Sequence, residues 1–217
     1  VQGEIEKVLT SINNSDVKVT LAGRTDARVN ALSQKAHFDL NKNLSCYKLK
    51  GALNNYLKDD IYIKNVIIVN DSFHARYMVK EKTYEYKINV GMYNPLFKDF
   101  IYQYCKSLNL KKMRKAIKYF VGTNDFTLFS SSSDKRLDKT RDIKYANIKK
   151  QKDIIVITFK AKGFLKYQVR TMVGALIKIS EENLETKIIK EMLKGKFNKK
   201  ISYVAPACGL TLINIKY

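Results

Sequence analysis

The stretch Val17-Lys18-Val19-Thr20-Leu21-Ala22-Gly23-Arg24-Thr25-Asp26-Ala27 decides how the rest of the chain is read. Its first five residues alternate apolar and polar, the period-two signature of a half-buried strand. Gly23 breaks the pattern before Arg24 and Asp26 arrive in a short polar turn, so the Asp26 carboxylate is expected at a strand end facing a cleft. Upstream, Gln2 to Asn13 puts Ile5, Val8, Leu9 and Ile12 on one helical face. Downstream, Gln34 to Leu40 reads as a second strand, with Ala36 and Phe38 on one side and Lys35, His37 and Asp39 on the other. A second helix is expected from Cys46 to Lys58 with Leu49, Leu53, Tyr56 and Leu57 inward, and then a β-branched strand from Ile61 to Val69 buried in the sheet.

The same period governs Lys82 to Ile88, where Tyr84, Tyr86 and Ile88 share a face opposite Glu85 and Lys87. Gly91 to Lys106 reads as a connection. A third helix follows from Leu110, with Met113, Ile117, Phe120 and Val121 as its apolar side and Gly122 to Asp125 as its stop. Ser130 to Ser133 with Asp134-Lys135-Arg136 suggests a mobile basic loop, suited equally to touching RNA or to being solvated. A hairpin is expected from Arg141 to Lys149 and Ile154 to Lys160. A long helix from Phe164 to Ser180 then buries Val169, Met172, Val173, Leu176 and Ile177, and a helix from Leu184 to Lys194 precedes a last strand from Leu210 to Ile215. The order helix-strand-strand-helix-strand thus occurs twice. It predicts an α+β fold of two halves, residues 1–106 and 107–217, sharing a mixed sheet.

With 217 residues and 45% hydrophobic content, the chain is long enough for one large domain or two small ones with a core. A formal charge of +21 exceeds what solubility requires and points to an anionic partner. Nucleic acid fits better than a membrane surface, because the cations are interleaved with 14 Tyr and 10 Phe that can stack on bases. The plainer reading is a Lys-rich solvated exterior. Cys46, Cys105 and Cys208 are too far apart for a zinc knuckle and odd in number, so reduced, mostly buried thiols are expected. No apolar run reaches membrane-spanning length and no signal-peptide pattern opens the chain, which predicts a soluble cytoplasmic protein.

In the long helix, Arg170 lies over Val173, Gly174 and Ile177, on a face that is otherwise small or apolar. A guanidinium buried there is costly without a partner, and Asp26 is the carboxylate expected to pair with it. A cation beside an aspartate favours the anion, the form that acts as nucleophile or base. On pattern alone, a turn residue that caps backbone amides is the favoured reading of Asp26. Tyr84 suits a core-facing strand aromatic, with Tyr86 on the same face as a competing candidate.

Seven blocks, in order, give the chain a family resemblance. They are Ala22-Gly23-Arg24-Thr25-Asp26-Ala27 with Gln34 and His37-Phe38-Asp39; Phe73-His74-Ala75-Arg76-Tyr77; Lys82-Thr83-Tyr84-Glu85-Tyr86; Gly122 with Asp125-Phe126; Gly163-Phe164-Leu165; Val169-Arg170 with Val173-Gly174; and Ala205-Pro206-Ala207 with Gly209-Leu210. The chain resembles the tRNA pseudouridine synthase A family. The resemblance implies a pseudouridine synthase fold: two ferredoxin-like α+β halves sharing a mixed, mainly antiparallel sheet with flanking helices. It implies isomerisation of uridine to pseudouridine in the anticodon stem-loop of tRNA by a homodimer, with no cofactor and no metal. Asp26 would be the catalytic aspartate, Tyr84 the active-site tyrosine that stacks on the target base and can also act near the proton that leaves C5, and Arg170 the arginine paired with Asp26. Arg24, Arg28, His74 and Arg76 would contact RNA, and Leu210 would line the pocket. Each also has a plainer role, as a solvated charge, a satisfied polar residue or core packing.

Two departures from the family pattern stand out. Arg28 and Asn30 replace the usual Gly and His after Asp26-Ala27, and a positive φ at Arg28 would cost roughly a kcal/mol of strain. The family's opening strand and its Trp-containing motif are absent from the sequence, so the sheet is expected to lack an edge or central strand. The rival to an isomerase is therefore a catalytically weakened RNA-binding protein of the same fold. A nuclease or glycosidase with paired carboxylates is disfavoured, since no second carboxylate is convincingly placed near Asp26.

Overall fold

The computed structural model describes residues 1–197 and 203–217. In chain order the strands are β1 (Thr20–Leu21), β2 (Asn30–Ala31), β3 (Ala36–His37), β4 (Glu81–Asn89), β5 (Tyr102–Gln103), β6 (Gly122–Asp125), β7 (Thr140–Gln151), β8 (Ile154–Ala161) and β9 (Leu210–Lys216). The α-helices are α1 (Gln2–Asn13), α2 (Cys46–Tyr56), α3 (Leu110–Ile117), α4 (Gln168–Glu181) and α5 (Ile188–Leu193). Two compact units result, one from residues 1–24 and 34–79 and one from residues 25–33 and 80–217.

In the first unit Leu9 of α1 and Leu49 and Leu53 of α2 meet Val17, Val19 and Leu57 in a small core, with Ile5, Ile12, Phe38 and Ile63 packed against it. Ser45 caps α2 by accepting a hydrogen bond from the Lys48 amide, which satisfies a donor the helix leaves free. The expected strands around residues 17–21 and 34–40 pair only over Thr20↔His37 and Leu21↔Ala36. Two expectations are corrected here. Tyr56, the last residue of α2, is exposed, and Leu57, in extended backbone just past the helix end, packs into the core instead. Residues 61–69 join no sheet among the described residues: Ile61, Ile63 and Val66 pack on the core while Ile68 is 88% exposed. The Asn54 side chain takes up both backbone groups of Ile63, at 2.7 and 3.0 Å, a role that would otherwise fall to a neighbouring strand.

The second unit is built on a sheet of order β2-β9-β4-β8-β7-β6, with β5 added beside β4. The β2–β9 and β4–β5 pairs are parallel and the others antiparallel, so the sheet is mixed but mainly antiparallel, as expected. Strands β2, β4 and β5 come from the first 106 residues and β6–β9 from the rest. Alternation in β4 holds as read: Tyr84, Tyr86 and Ile88 are buried, and Glu85 and Lys87 border an open polar groove on the other face with Tyr145, Lys149 and Lys160. Phe120, Phe126, Phe129 and Phe159 are buried with their rings edge-to-face or stacked, and the apolar row Val169, Met172, Val173, Leu176 and Ile177 of α4 is buried as expected. Helices α3 and α4 pack together.

Several boundaries differ from expectation. Helix α4 starts at Gln168 rather than Phe164 because Tyr167 sits in the left-handed region, φ 64°, where a helix cannot begin earlier. The helix expected from Leu184 narrows to α5. Val121 is exposed, since α3 gives way to a tight 3-10 turn over 118–120, and Gly122 to Asp125 form strand β6 instead of a bare stop. Cys105 is exposed and Cys46 and Cys208 are half-buried, so the thiols are free but less sheltered than composition suggested.

Close packing also makes a prediction. A Cβ on Gly174 of α4 would stand 2.0 Å from the Tyr203 carbonyl oxygen, a backbone atom that cannot swing away. Gly174→Ala is therefore expected to cost about 1–3 kcal/mol through overpacking, read as a lower thermal midpoint. An unchanged midpoint would show that the 203–205 segment yields freely.

Candidate active site

The Asp26 turn is fastened to the edge of the second unit's sheet. Val29 donates its amide to the Asp26 carbonyl at 3.1 Å, closing the turn. Asn30 and Ala31 then pair in parallel with Thr211 and Leu212, and the Leu32 amide donates to the Leu212 carbonyl at 2.8 Å. The Asn30 side chain donates from Nδ2 to the carbonyls of Asp99 at 3.0 Å and Cys208 at 3.4 Å. The residue that departs from the family pattern thus ties the turn to two other segments. Arg28 does adopt positive φ, 64°, so the strain anticipated from the sequence is present. Arg28→Gly should relieve about 1–2 kcal/mol of left-handed strain against about 0.5–1 kcal/mol of added chain entropy. The expected result is a slightly higher melting temperature. A fall would mean that the Arg28 side chain stabilises the turn.

Arg170 is delivered to Asp26 by α4. Its Nη1 donates to Asp26 Oδ2 at 3.2 Å and its Nε donates to the Ala205 carbonyl at 2.8 Å. The Ala205 amide in turn donates to the Arg170 carbonyl at 3.1 Å, so the 205 segment is clipped to the arginine from both sides. Below the guanidinium lies the Tyr167 ring, 4.9 Å from Cζ to the ring centroid. Only 15% of the Arg170 side chain and 21% of the Asp26 side chain are exposed. The pair predicted from burial is therefore made.

Tyr84 lies on the central strand of the same unit, 9% exposed, with Phe164 edge-on at 5.3 Å between ring centroids. The β4–β9 register shifts between Thr83 and Tyr84, so β9 carries one extra residue opposite this point. Such bulges re-aim a neighbouring side chain. Burial pushes the Tyr84 hydroxyl up to about 12, and the Asp26 charge adds to the shift. It is a neutral phenol at ordinary pH. Tyr86 is spent differently: it is fully buried, its hydroxyl donates to the Pro206 carbonyl at 2.7 Å, and a Cβ on Gly209 would come within 2.6 Å of its ring. The Tyr86 hydroxyl is thus committed to the protein interior, whereas Tyr84 feels the Asp26 charge. Leu210 is buried on β9, in register with Tyr86.

The segment ahead of α4 is held by the serine loop. The Ser131 amide donates to the Lys166 carbonyl at 2.9 Å and the Lys166 amide to Asp134 Oδ2 at 3.1 Å. Hydrogen bonding from Arg136 holds the buried Asp134 carboxyl well below the usual carboxylate range. A run read as mobile from its serines is thus pinned by one buried aspartate. Tyr167, Phe164 and the Ala205 carbonyl were not singled out for the site, although Tyr167 lies three residues before Arg170, the spacing that stacks side chains on a helix.

Of the remaining expected contacts, Arg28 is exposed in the second unit. Arg24, His74 and Arg76 belong to the first unit, where Arg24 and Arg76 are exposed and His74 is half-buried. Among the described residues, no group of three or more His, Cys, Asp or Glu side chains is placed to hold a metal ion. No described helix is long and apolar enough to cross a membrane.

A family model described as tRNA pseudouridine synthase matches residues 116–217. The chain is 38% identical over 218 residues to a Bacillus cereus protein named tRNA pseudouridine synthase A 2, covering 100% of this chain and 89% of that protein. A Bacillus anthracis protein of the same name gives 38% identity with the same coverage. A Bacillus thuringiensis subsp. konkukian protein named tRNA pseudouridine synthase A 1 is 37% identical over 219 residues, again covering 100% and 89%. With the aspartate-arginine pair in place and similarity running the length of the sequence, the chain belongs to the tRNA pseudouridine synthase A family.

Proposed function

We propose that this chain isomerises uridine to pseudouridine in the anticodon stem-loop of tRNA, with Asp26 acting on the target nucleotide. The observation that carries the reading is the Asp26–Arg170 pair beside Tyr84, in a family whose members are named for this reaction. The chemistry balances without a co-reactant. The bond from N1 of uracil to C1′ of ribose breaks, a bond from C5 to C1′ forms, the C5 proton leaves, and N1 gains a proton. Asp26 assists detachment of the base, and Arg170 fixes the carboxylate's direction through its anchors on Ala205 and Tyr167. Tyr84, a neutral phenol, offers its ring to the detached uracil, so the proton leaving C5 passes to a carboxylate or water rather than to a tyrosinate.

A base inside a helix is out of reach, so the target must be flipped out at a cost of roughly a few kcal/mol. The +21 charge supplies attraction to the phosphates that offsets it. Arg24, Arg28, His74 and Arg76 are assigned to RNA contact and Leu210 to the pocket wall. The division into a half carrying the aspartate, 1–106, and a half carrying Arg170, 107–217, belongs to the same reading, as do a homodimer sharing one tRNA and a cytoplasmic location.

Incubation with unmodified tRNA followed by position-by-position mapping of pseudouridine tests the proposal. Product in the anticodon stem-loop is expected. Binding without product would favour a weakened RNA-binding protein, the reading that strained Arg28 at the catalytic turn supports.

A further inference from the structure

The first unit holds a ladder of rings that the proposed chemistry does not use. His37 and His74, the two histidines of the chain, lie edge to face with centroids 4.9 Å apart, and His74 stacks on Tyr77 at 4.1 Å with the ring planes 28° apart. Backbone amides hold the rungs in place. His74 Nδ1 accepts from the amides of Arg76 and Tyr77 at 3.2 and 3.3 Å, and His37 Nδ1 accepts from the Ala75 amide at 3.1 Å. The Met78 amide donates to the His74 carbonyl at 3.1 Å, closing the turn. An Nδ1 that accepts leaves each ring proton on Nε2. The outermost rung, Tyr77, is nonetheless 71% exposed, and Arg76 beside it is exposed too.

A scattered exposed tyrosine needs no explanation. A tyrosine already stacked on a second ring, fixed by a hydrogen-bonded turn and flanked by a guanidinium, presents a flat face whose ordering cost has been met before any ligand arrives. We propose that the His74–Tyr77 stack is a subsite for one unpaired base of the RNA, which adds as the next rung, with Arg76 holding an adjacent phosphate. Bases in a duplex have both faces covered, so the subsite selects a loop or flipped nucleotide. The inference rests on the tRNA reading above and extends it from the reacting base to a second one.

The sequence contains no tryptophan, so Tyr77→Trp in the full chain creates a single indole reporter on the ladder. Titration with a tRNA transcript is expected to quench its emission in step with binding measured independently by filter retention. Tyr77→Ala should weaken tRNA binding about tenfold, the effect of losing one base–aromatic stack, with kcat unchanged. Tyr77→Phe should bind like the parent chain. Retained tRNA with unquenched emission and unaltered Tyr77→Ala affinity overturns the subsite and leaves the proposed reaction standing. A Tyr77→Ala loss confined to kcat also overturns it. Failure of the parent chain both to retain tRNA and to form pseudouridine overturns the tRNA reading and the subsite together.

Discussion

Asp26→Asn is expected to lower kcat by about 10³-fold or more, at the upper end of what one proton-transfer group contributes, while tRNA affinity stays within about threefold. The substitution keeps the side chain's size and leaves the Asp26 carbonyl to accept from Val29, so the turn persists. The amide oxygen still accepts from Arg170 Nη1, and the arginine keeps its Ala205 and Tyr167 anchors. Negative charge and the ability to take up a proton or attack carbon are what disappear. An interaction made only on the way to the transition state shows in kcat, whereas one made equally with bound substrate shows in KM. Single-turnover release of tritium from C5-labelled uridine in tRNA reads the chemical step directly. A large rise in KM with kcat intact would make Asp26 a binding residue and remove it from the chemistry.

Much of this site was legible because its signals are local. Period-two alternation in Lys82 to Ile88 set Tyr84 and Tyr86 on the covered face, and the helical row around Arg170 stranded a guanidinium among apolar neighbours, which demanded a carboxylate. Features that depend on a single backbone angle or a distant acceptor were not legible. Tyr167 has no composition cue for φ 64°, yet that angle starts α4 and sets the ring under Arg170. Residues 61–69 have the β-branched content of a buried strand, but pairing needs a neighbour with free backbone groups, and Asn54 serves Ile63 instead. The serine loop reads as loose from composition, because burial of Asp134 depends on Lys166, thirty-two residues away in sequence. Tyr86 and Tyr84 look alike in sequence. A carbonyl at Pro206 distinguishes them.

Arg170→Met should reduce kcat by about 10²-fold and stability by about 2 kcal/mol, and both effects should depend on Asp26. Methionine fills the space of the stem but supplies neither donor, so the Ala205 carbonyl and the Asp26 carboxylate lose partners at once. Removing one partner of a fully buried pair costs about 3–5 kcal/mol and of a surface pair about 0–1 kcal/mol. With 15% and 21% of the two side chains exposed, an intermediate value applies. For a chain of this size about 2 kcal/mol lowers the melting temperature by about 4–8 °C. Arg170→Lys should recover part of the stability and little of the rate. An ammonium restores charge but cannot donate to Ala205, point at Asp26 and lie flat on Tyr167 together. The double variant Asp26→Asn/Arg170→Met separates pairing from independent roles. An asparagine does not need the cation, so the double variant should be more stable than the summed single losses predict, by about 0.5–3 kcal/mol. Its kcat should match that of Asp26→Asn alone, since an arginine that works by aiming a carboxylate has nothing to aim once the carboxylate is gone. A strictly additive fall in kcat would instead place Arg170 on the substrate itself.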